Sequence, residues 1–145
     1  MTPDDDRHAA PTSRTVGDLM TLEPVVIRSD ASLSEAVQLM DLHAVGGLPV
    51  VDGAGDVVGV ITKTDLVNAR ATEYLWANWD ELGVRHLMTS PPLTIRRSTT
   101  LDVATRRMER HHVHRLVVVA DDDPALPIGV ITTTDLVHAL AQDTQ

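Results

Sequence analysis

With 145 residues, 43% of them hydrophobic, the chain has the length of one ordinary compact domain and the apolar content to give it a core. No stretch approaches the roughly 18 uninterrupted apolar residues of a membrane span, and an N-terminus carrying Asp4, Asp5 and Asp6 lacks a signal-peptide pattern, so a soluble, cytoplasmic protein is expected. The absence of cysteine excludes disulfides, thiolate nucleophiles and cysteine zinc sites, and a net charge of −9 from 12 basic and 21 acidic residues argues against a nucleic-acid partner.

Residues 1–14 combine proline, serine and charge without apolar periodicity, which predicts a disordered tail. From Thr15 the first half reads as a short turn at VGDLMT, an extended VVI at Val25 to Ile27, and a helix from Leu33 to about His43. Ser32 followed by Glu35 is a capping-box pattern, and Leu33, Ala36, Val37 and Met40 have the spacing of a buried helix face. Gly46 and Gly47 are expected to end the helical region. Leu48 to Val51 predicts a strand, DGAGD a tight turn, and Val57 to Ile61 the hairpin partner. A helix is then expected from about Asp65 to Leu82, with Thr64 as its N-cap. It carries every aromatic residue of the chain, Tyr74, Trp76 and Trp79, which either pack on the protein's own core or form a patch covered by a second subunit; an oligomer contact is the preferred reading.

The second half repeats this order. VRHLMT is followed by a strand at Leu93 to Ile95, a helix from Leu101 to Arg110, a strand at Leu116 to Val119, and IGVI before Thr132. GVITKTDLV at Gly59 to Val67 recurs as GVITTTDLV at Gly129 to Val137, 70 positions later (129 − 59), whereas Met20 and Met88 are 68 apart (88 − 20). The chain is a tandem duplication, and the offset changes at the second hairpin, whose DDDPALP turn is expected to be two residues longer.

Each repeat passes from strand to helix through a Thr-x-x-Asp segment, Thr62 to Asp65 and Thr132 to Asp135. Free N–H groups at a helix start favour phosphate, while an aspartate there is an anionic acceptor suited to paired hydroxyls such as those of a ribose. Both residue types also serve as helix caps, worth roughly 0.3–1 kcal/mol through the helix dipole, and the motif by itself leaves the two roles open. Gly59 and Gly129 lack a side chain and leave room for another group close to the strand. Between Arg85 and Arg115 seven arginines face two acids. Arg106, Arg107 and Arg110 read as a solvated helix face, and Arg96, Arg97 and Arg115 as candidates for an anion site.

The LMT start, the LPVVD or LVVVA strand and the GVITxTDL ending, each occurring twice in the same order, resemble a tandem pair of cystathionine β-synthase (CBS) domains over Thr15 to Ala141. That resemblance implies an α/β (α+β) fold of two β-α-β-β-α repeats related by pseudo-two-fold symmetry, divided here as 15–82 with a linker helix and 83–145. It also implies a regulatory module, not an enzyme, that binds an adenosine-containing ligand (AMP, ADP, ATP or S-adenosylmethionine) and signals to a separate effector protein. By position, Asp65 and Asp135 match the family's ribose carboxylate and Thr62 and Thr132 its phosphate-facing hydroxyl. The first site would be completed by Arg97 to Thr100 with Val113, His114 and Arg115, and the second by Ser29 to Ser32 with Val45, Gly46 and Gly47. His114 and Arg115 favour a phosphorylated ligand at the first site. No cofactor is required on this reading, and a homodimer is expected.

Three alternatives bear on function. A ligand-free dimerisation or interaction scaffold would use Asp65 and Asp135 only as caps. Catalysis finds little support, because the chain has no P-loop of the GxxxxGK type and no GxSxG serine. His111, His112 and His114 follow one another at a helix end without a nearby acidic partner, so no metal site is expected there.

Overall fold

In the computed structural model, which describes residues 14–22 and 24–143, the elements run in chain order as α1 (Val16–Leu19), β1 (Thr21–Leu22), β2 (Ile27–Arg28), α2 (Leu33–His43), β3 (Gly47–Val51), β4 (Val57–Thr62), α3 (Lys63–Ala71), α4 (Glu73–Ala77), α5 (Val84–Leu87), β5 (Thr94–Arg96), α6 (Leu101–His111), β6 (Arg115–Ala120), β7 (Asp123–Thr132) and α7 (Thr133–Asp143). Each repeat thus supplies the expected β-α-β-β-α series, and the fold is mixed α+β with two small sheets.

Two compact units result, and their boundaries cut across the repeats. One comprises Pro24–Leu93 with Ala125–Pro127; the other comprises Thr94–Pro124 and the chain from Ile128 onward, together with the described residues before position 23. The opening segment of each repeat is therefore exchanged. α1 and β1 belong with the second repeat's strands, and α5 with the first repeat's.

In the first-repeat unit the sheet order is β2-β3-β4. β2 runs parallel to β3, with Ile27 opposite Val50, and β3 runs antiparallel to β4, with Gly47 opposite Thr62. All five residues of β3 are buried, the pattern of a strand covered on both faces, while β4 alternates buried and half-buried. Ile27, Leu33, Ala36, Met40, Leu48, Val50, Ile61, Leu66 and Val84 form one contiguous core, to which each fully buried Leu, Ile or Val contributes roughly 1.5–3 kcal/mol. Val84 comes from the exchanged segment, so the second repeat's opening completes the first repeat's core.

The same segment is pinned by backbone bonds. Val84 N–H donates to Ala31 O (2.9 Å), Arg85 N–H to Ser29 O (3.1 Å), and Val60 and Thr89 exchange N–H···O bonds across β4 (3.0 and 2.9 Å). In the second-repeat unit, where the sheet order is β1-β7-β6-β5, the equivalent bonds run from Val16 N–H to Thr99 O and from Gly17 N–H to Arg97 O (2.8 Å each), with Thr21 opposite Val130. These pairs correspond by the 68- and 70-residue offsets, so the duplication has copied the docking as well as the elements.

Local chemistry accounts for the departures from expectation. Val37 is 42% exposed, whereas Leu33, Ala36 and Met40 are buried, so the apolar stripe of α2 is narrower than its spacing suggested. Helix α2 is ended not by Gly46 and Gly47 but by Ala44, which turns left-handed (φ 52°) while its N–H and that of Val45 cap carbonyls of the last turn; His112 does the same for α6 (φ 53°). The helix expected to run from Asp65 to Leu82 is broken at Thr72, which is extended and whose hydroxyl donates to Asn68 O (2.8 Å). The second hairpin's extra residues lie in β7, which runs through Pro124 to Pro127, and the turn itself is confined to Asp121 and Asp122. Of the tail expected over 1–14, residues 1–13 lie outside the described residues; Arg14 is anchored, pairing with Asp143 (2.6 Å) and accepting from Leu101 N–H (3.0 Å).

Candidate functional site

In the first-repeat unit β4 runs without a loop into α3, and the cap at that junction is Thr62 rather than Thr64. Thr62 Oγ1 accepts from Asp65 N–H (3.2 Å), and Asp65 Oδ2 accepts from Thr62 N–H (2.8 Å). This reciprocal capping box arises because Thr at N-cap and Asp at N3 each reach one otherwise unpaired amide. The second-repeat unit reproduces it, with 2.8 Å from Thr132 N–H to Asp135 Oδ2 and 3.3 Å from Asp135 N–H to Thr132 Oγ1. There the Thr132 hydroxyl also donates to Asp135 Oδ2 (3.1 Å), whereas the Thr62 hydroxyl hydrogen has no acceptor among the described residues.

Both aspartates are half-buried, and each uses Oδ2 for the cap, leaving Oδ1 without a partner among the described residues. The two roles left open by the motif are therefore compatible in one side chain. The amides are less available than the motif suggested. Lys63 N–H donates to Gly46 O and Thr133 N–H to His114 O (2.9 Å each), so two of the first three helical N–H groups at each junction are already bonded within the protein.

Within each unit, those two bonds fix the neighbours of the junction. Gly46 and the start of β3 sit beside Thr62 and Asp65; Val113, His114 and Arg115, at the start of β6, sit beside Thr132 and Asp135. Ser29 and Arg97 do not. Ser29 N–H donates to Val51 O (2.9 Å) and Arg97 N–H to Val119 O (3.2 Å), which puts each at the far end of β3 or β6 from the junction, roughly 15 Å away at about 3.3 Å per strand residue. Their carbonyls hold the exchanged α5 and α1 segments, a structural task. The chain that does lie at the junction end is the approach to β2 and β5, around Val25 and Leu93, as the parallel register of Ile27 with Val50 and Thr94 with Val117 requires. The signal in sequence was the direction of the strand: a parallel neighbour brings its own beginning, not its end, to the beginning of β3.

Arg115 stands out electrostatically. It is half-buried, forms no ion pair among the described residues, and burial holds its guanidinium pKa below the ordinary value. His114 is exposed. Arg97 and Arg96 are exposed, as are Arg106, Arg107 and Arg110, the first of these paired with Asp102 at 3.2 Å. Gly59 and Gly129 do admit another group, but that group is the protein's own chain: a Cβ at Gly59 would lie 2.7 Å from Met88 Sδ and 2.9 Å from Thr89 O, and one at Gly129 2.7 Å from Met20 Sδ and 2.8 Å from Thr21 O. Among the described residues, no three His, Cys, Asp or Glu side chains are grouped to hold a metal ion, and no helix is long and apolar enough to cross a membrane.

The sequence profile of the CBS domain matches residues 16–72 and 84–142. The chain belongs to the CBS domain family. Both repeats are CBS domains, and the two Thr-x-x-Asp junctions fall within the matched segments. The chain is 33% identical to CBSX2, a CBS-pair protein from Arabidopsis thaliana whose crystal structure was determined in complex with AMP; the match covers 91% of this chain and 99% of that one, with a TM-score of 0.77. The CBS domain pair of protein MJ0100, crystallised with 5′-methylthioadenosine and S-adenosyl-L-methionine, is 25% identical over 88% of this chain and 96% of that one, with a TM-score of 0.78. Among longer proteins, a homoserine O-acetyltransferase from Methanocorpusculum labreanum is 35% identical over 86% of this chain, which spans only 24% of that enzyme's length. The CBS pair is thus a minor part of such enzymes.

Proposed function

We propose that this CBS pair is a regulatory module that binds an adenosine-containing ligand and passes its occupancy to a separate protein. The observation that carries the reading is the free Oδ1 of Asp65 and of Asp135, each held rigidly by a capping box at the end of a strand. A fixed carboxylate oxygen is an acceptor for ribose hydroxyls, and CBSX2 and MJ0100, which share the fold, were crystallised with adenosine compounds. Arg115, desolvated and unpaired, with His114 beside it, supplies donors for a phosphate, so AMP, ADP or ATP is favoured over an uncharged nucleoside. At the other junction, Thr62, whose hydroxyl hydrogen is uncommitted, offers a donor of its own. Ser29 and Arg97 are left out of the proposed ligand set because they sit at the far strand ends.

Binding regulates only if the ligand prefers one of two states of the module. A homodimer and an effector protein belong to this proposal as the bodies through which that preference would be read. Titration calorimetry with AMP, ADP, ATP and S-adenosylmethionine tests it: saturable heat with at least one of them, lost in the Asp65→Ala, Asp135→Ala double variant, is expected. No heat from any of the four at millimolar concentration would refute it. The capping boxes themselves favour a second reading, in which the carboxylates only stabilise helices and the pair is a ligand-free interaction scaffold. On that reading the double variant loses about 1–2 kcal/mol of stability and nothing else.

A further inference from the structure

The two opening segments are copies of each other, and so are the two sockets that hold them, yet each segment enters only the other repeat's socket. Val16 and Val84, Met20 and Met88, and Thr21 and Thr89 are identical pairs, and both methionines pack against a glycine, Gly129 and Gly59 respectively. The fastening bonds do not discriminate either, because they join backbone atoms. Val16 N–H to Thr99 O has its counterpart in Val84 N–H to Ala31 O, and Gly17 N–H to Arg97 O in Arg85 N–H to Ser29 O. By these contacts alone, each segment would fit either socket.

One pair of positions differs in a complementary way. α1 has Gly17 where α5 has Arg85, and the socket for α1 has Arg97 where the socket for α5 has Ser29. Each docked pair therefore sets one small residue against one large one. A Cβ at Gly17 would lie 3.1 Å from Arg97 O, 3.3 Å from its Nε and 3.6 Å from its Cβ. The carbonyl by itself does not exclude a side chain, because Arg85 carries one while its N–H is bonded to Ser29 O in the same way (3.1 Å). What Gly17 makes room for is the side chain of Arg97. Were α5 to enter the Arg97 socket, Arg85 would meet that side chain and set a second positive charge beside the first.

We infer that the reciprocity of Gly17 with Arg97 and of Arg85 with Ser29 is the recognition element that keeps α5 out of the socket of α1 and so assigns each opening segment to the other repeat. The Arg97 socket takes a helical turn with glycine at its second residue, and the Ser29 socket takes one with a long side chain there. A clash with the wrong segment, rather than a better fit to the right one, supplies the discrimination. The same rule applies to a segment offered by a second copy of the chain.

A thermal-unfolding cycle tests the assignment. Gly17→Arg is measured in the parent and in the Arg97→Ser background, so that the helix-propensity gain from replacing glycine cancels. The substitution should lower the melting temperature by about 5 °C more in the parent than beside Arg97→Ser, where the pairing of Arg85 on Ser29 is recreated. The mirror cycle, Ser29→Arg with and without Arg85→Gly, should show a difference of the same sign. Because the chain has no cysteine, Val16→Cys places a single thiol at a buried position of α1. Its labelling by 5,5′-dithiobis(2-nitrobenzoate) under native conditions should quicken about fivefold with Gly17→Arg and return toward the starting rate when Arg97→Ser is added. If Gly17→Arg alone leaves the chain unfolded, recovery of a folded chain on adding Arg97→Ser supports the inference equally. Equal penalties in the two backgrounds of either cycle, or a double variant as unstable as the single one, overturn it, since the connecting chain and not these side chains would then decide the docking.

Discussion

Adding one methyl group at Gly59 tests how tightly the exchanged segment is docked. The Cβ of Gly59→Ala would lie 2.7 Å from Met88 Sδ, 2.9 Å from Thr89 O and 3.1 Å from Met88 Cγ. The methionine can move, but the Thr89 carbonyl cannot without giving up the paired bonds with Val60 that fasten α5's end to β4. Overpacking of a well-filled site costs about 2–3 kcal/mol, and the lower unfolded-state entropy of alanine returns about 0.5–1 kcal/mol, leaving a loss of about 2 kcal/mol. For a chain of this size that is a melting temperature lower by about 5 °C. Urea denaturation followed by circular dichroism measures it. Gly129→Ala should match, since its contacts with Met20 and Thr21 repeat those of Gly59. Gly53→Ala is the control: its nearest neighbour is the exposed Arg28 guanidinium at 3.6 Å, an ordinary van der Waals distance, so stability should stay within about 0.5 kcal/mol of the parent. If Gly59→Ala proved as stable as Gly53→Ala, the close docking of the segment on β4 would be refuted.

Leu33→Ala, at a fully buried position, should cost about 3 kcal/mol in the same denaturation assay, and Val37→Ala, one turn along the same helix but exposed, less than about 1 kcal/mol. Equal losses would contradict the narrow buried stripe on α2. Arg115→Met removes a desolvated, unpaired guanidinium while keeping much of its packing, so the variant should melt no lower than the parent. Calorimetry of the same variant should show AMP weakened by about tenfold and adenosine little changed, as a lost charge-assisted contact to phosphate requires.

What could be read from sequence was what depends on neighbours in the chain. Helix α2 begins at Leu33 because Ser32 caps Glu35 N–H (3.1 Å), and the strand β3 was legible as an apolar run between turn residues. The Thr-x-x-Asp junctions were found by their repetition, yet which threonine caps was decided by the reach of Asp65 back to Thr62 N–H. Non-local facts were not legible. That Val84 fills the first repeat's core, and that Gly59 makes room for Met88, follow from an exchange of segments which leaves no trace in periodicity. The break at Thr72 turned on one hydroxyl choosing Asn68 O, and the separation of Ser29 from Gly46 along β3 is set by the parallel register of β2 on β3.

A crystal structure of this chain soaked with AMP would bear most directly on the adenosine reading. A ribose hydroxyl is expected within hydrogen-bond distance of Oδ1 of Asp65 or Asp135, with each capping box still closed through Oδ2. Nucleotide bound elsewhere, or no nucleotide in crystals whose junctions are open to solvent, would contradict it.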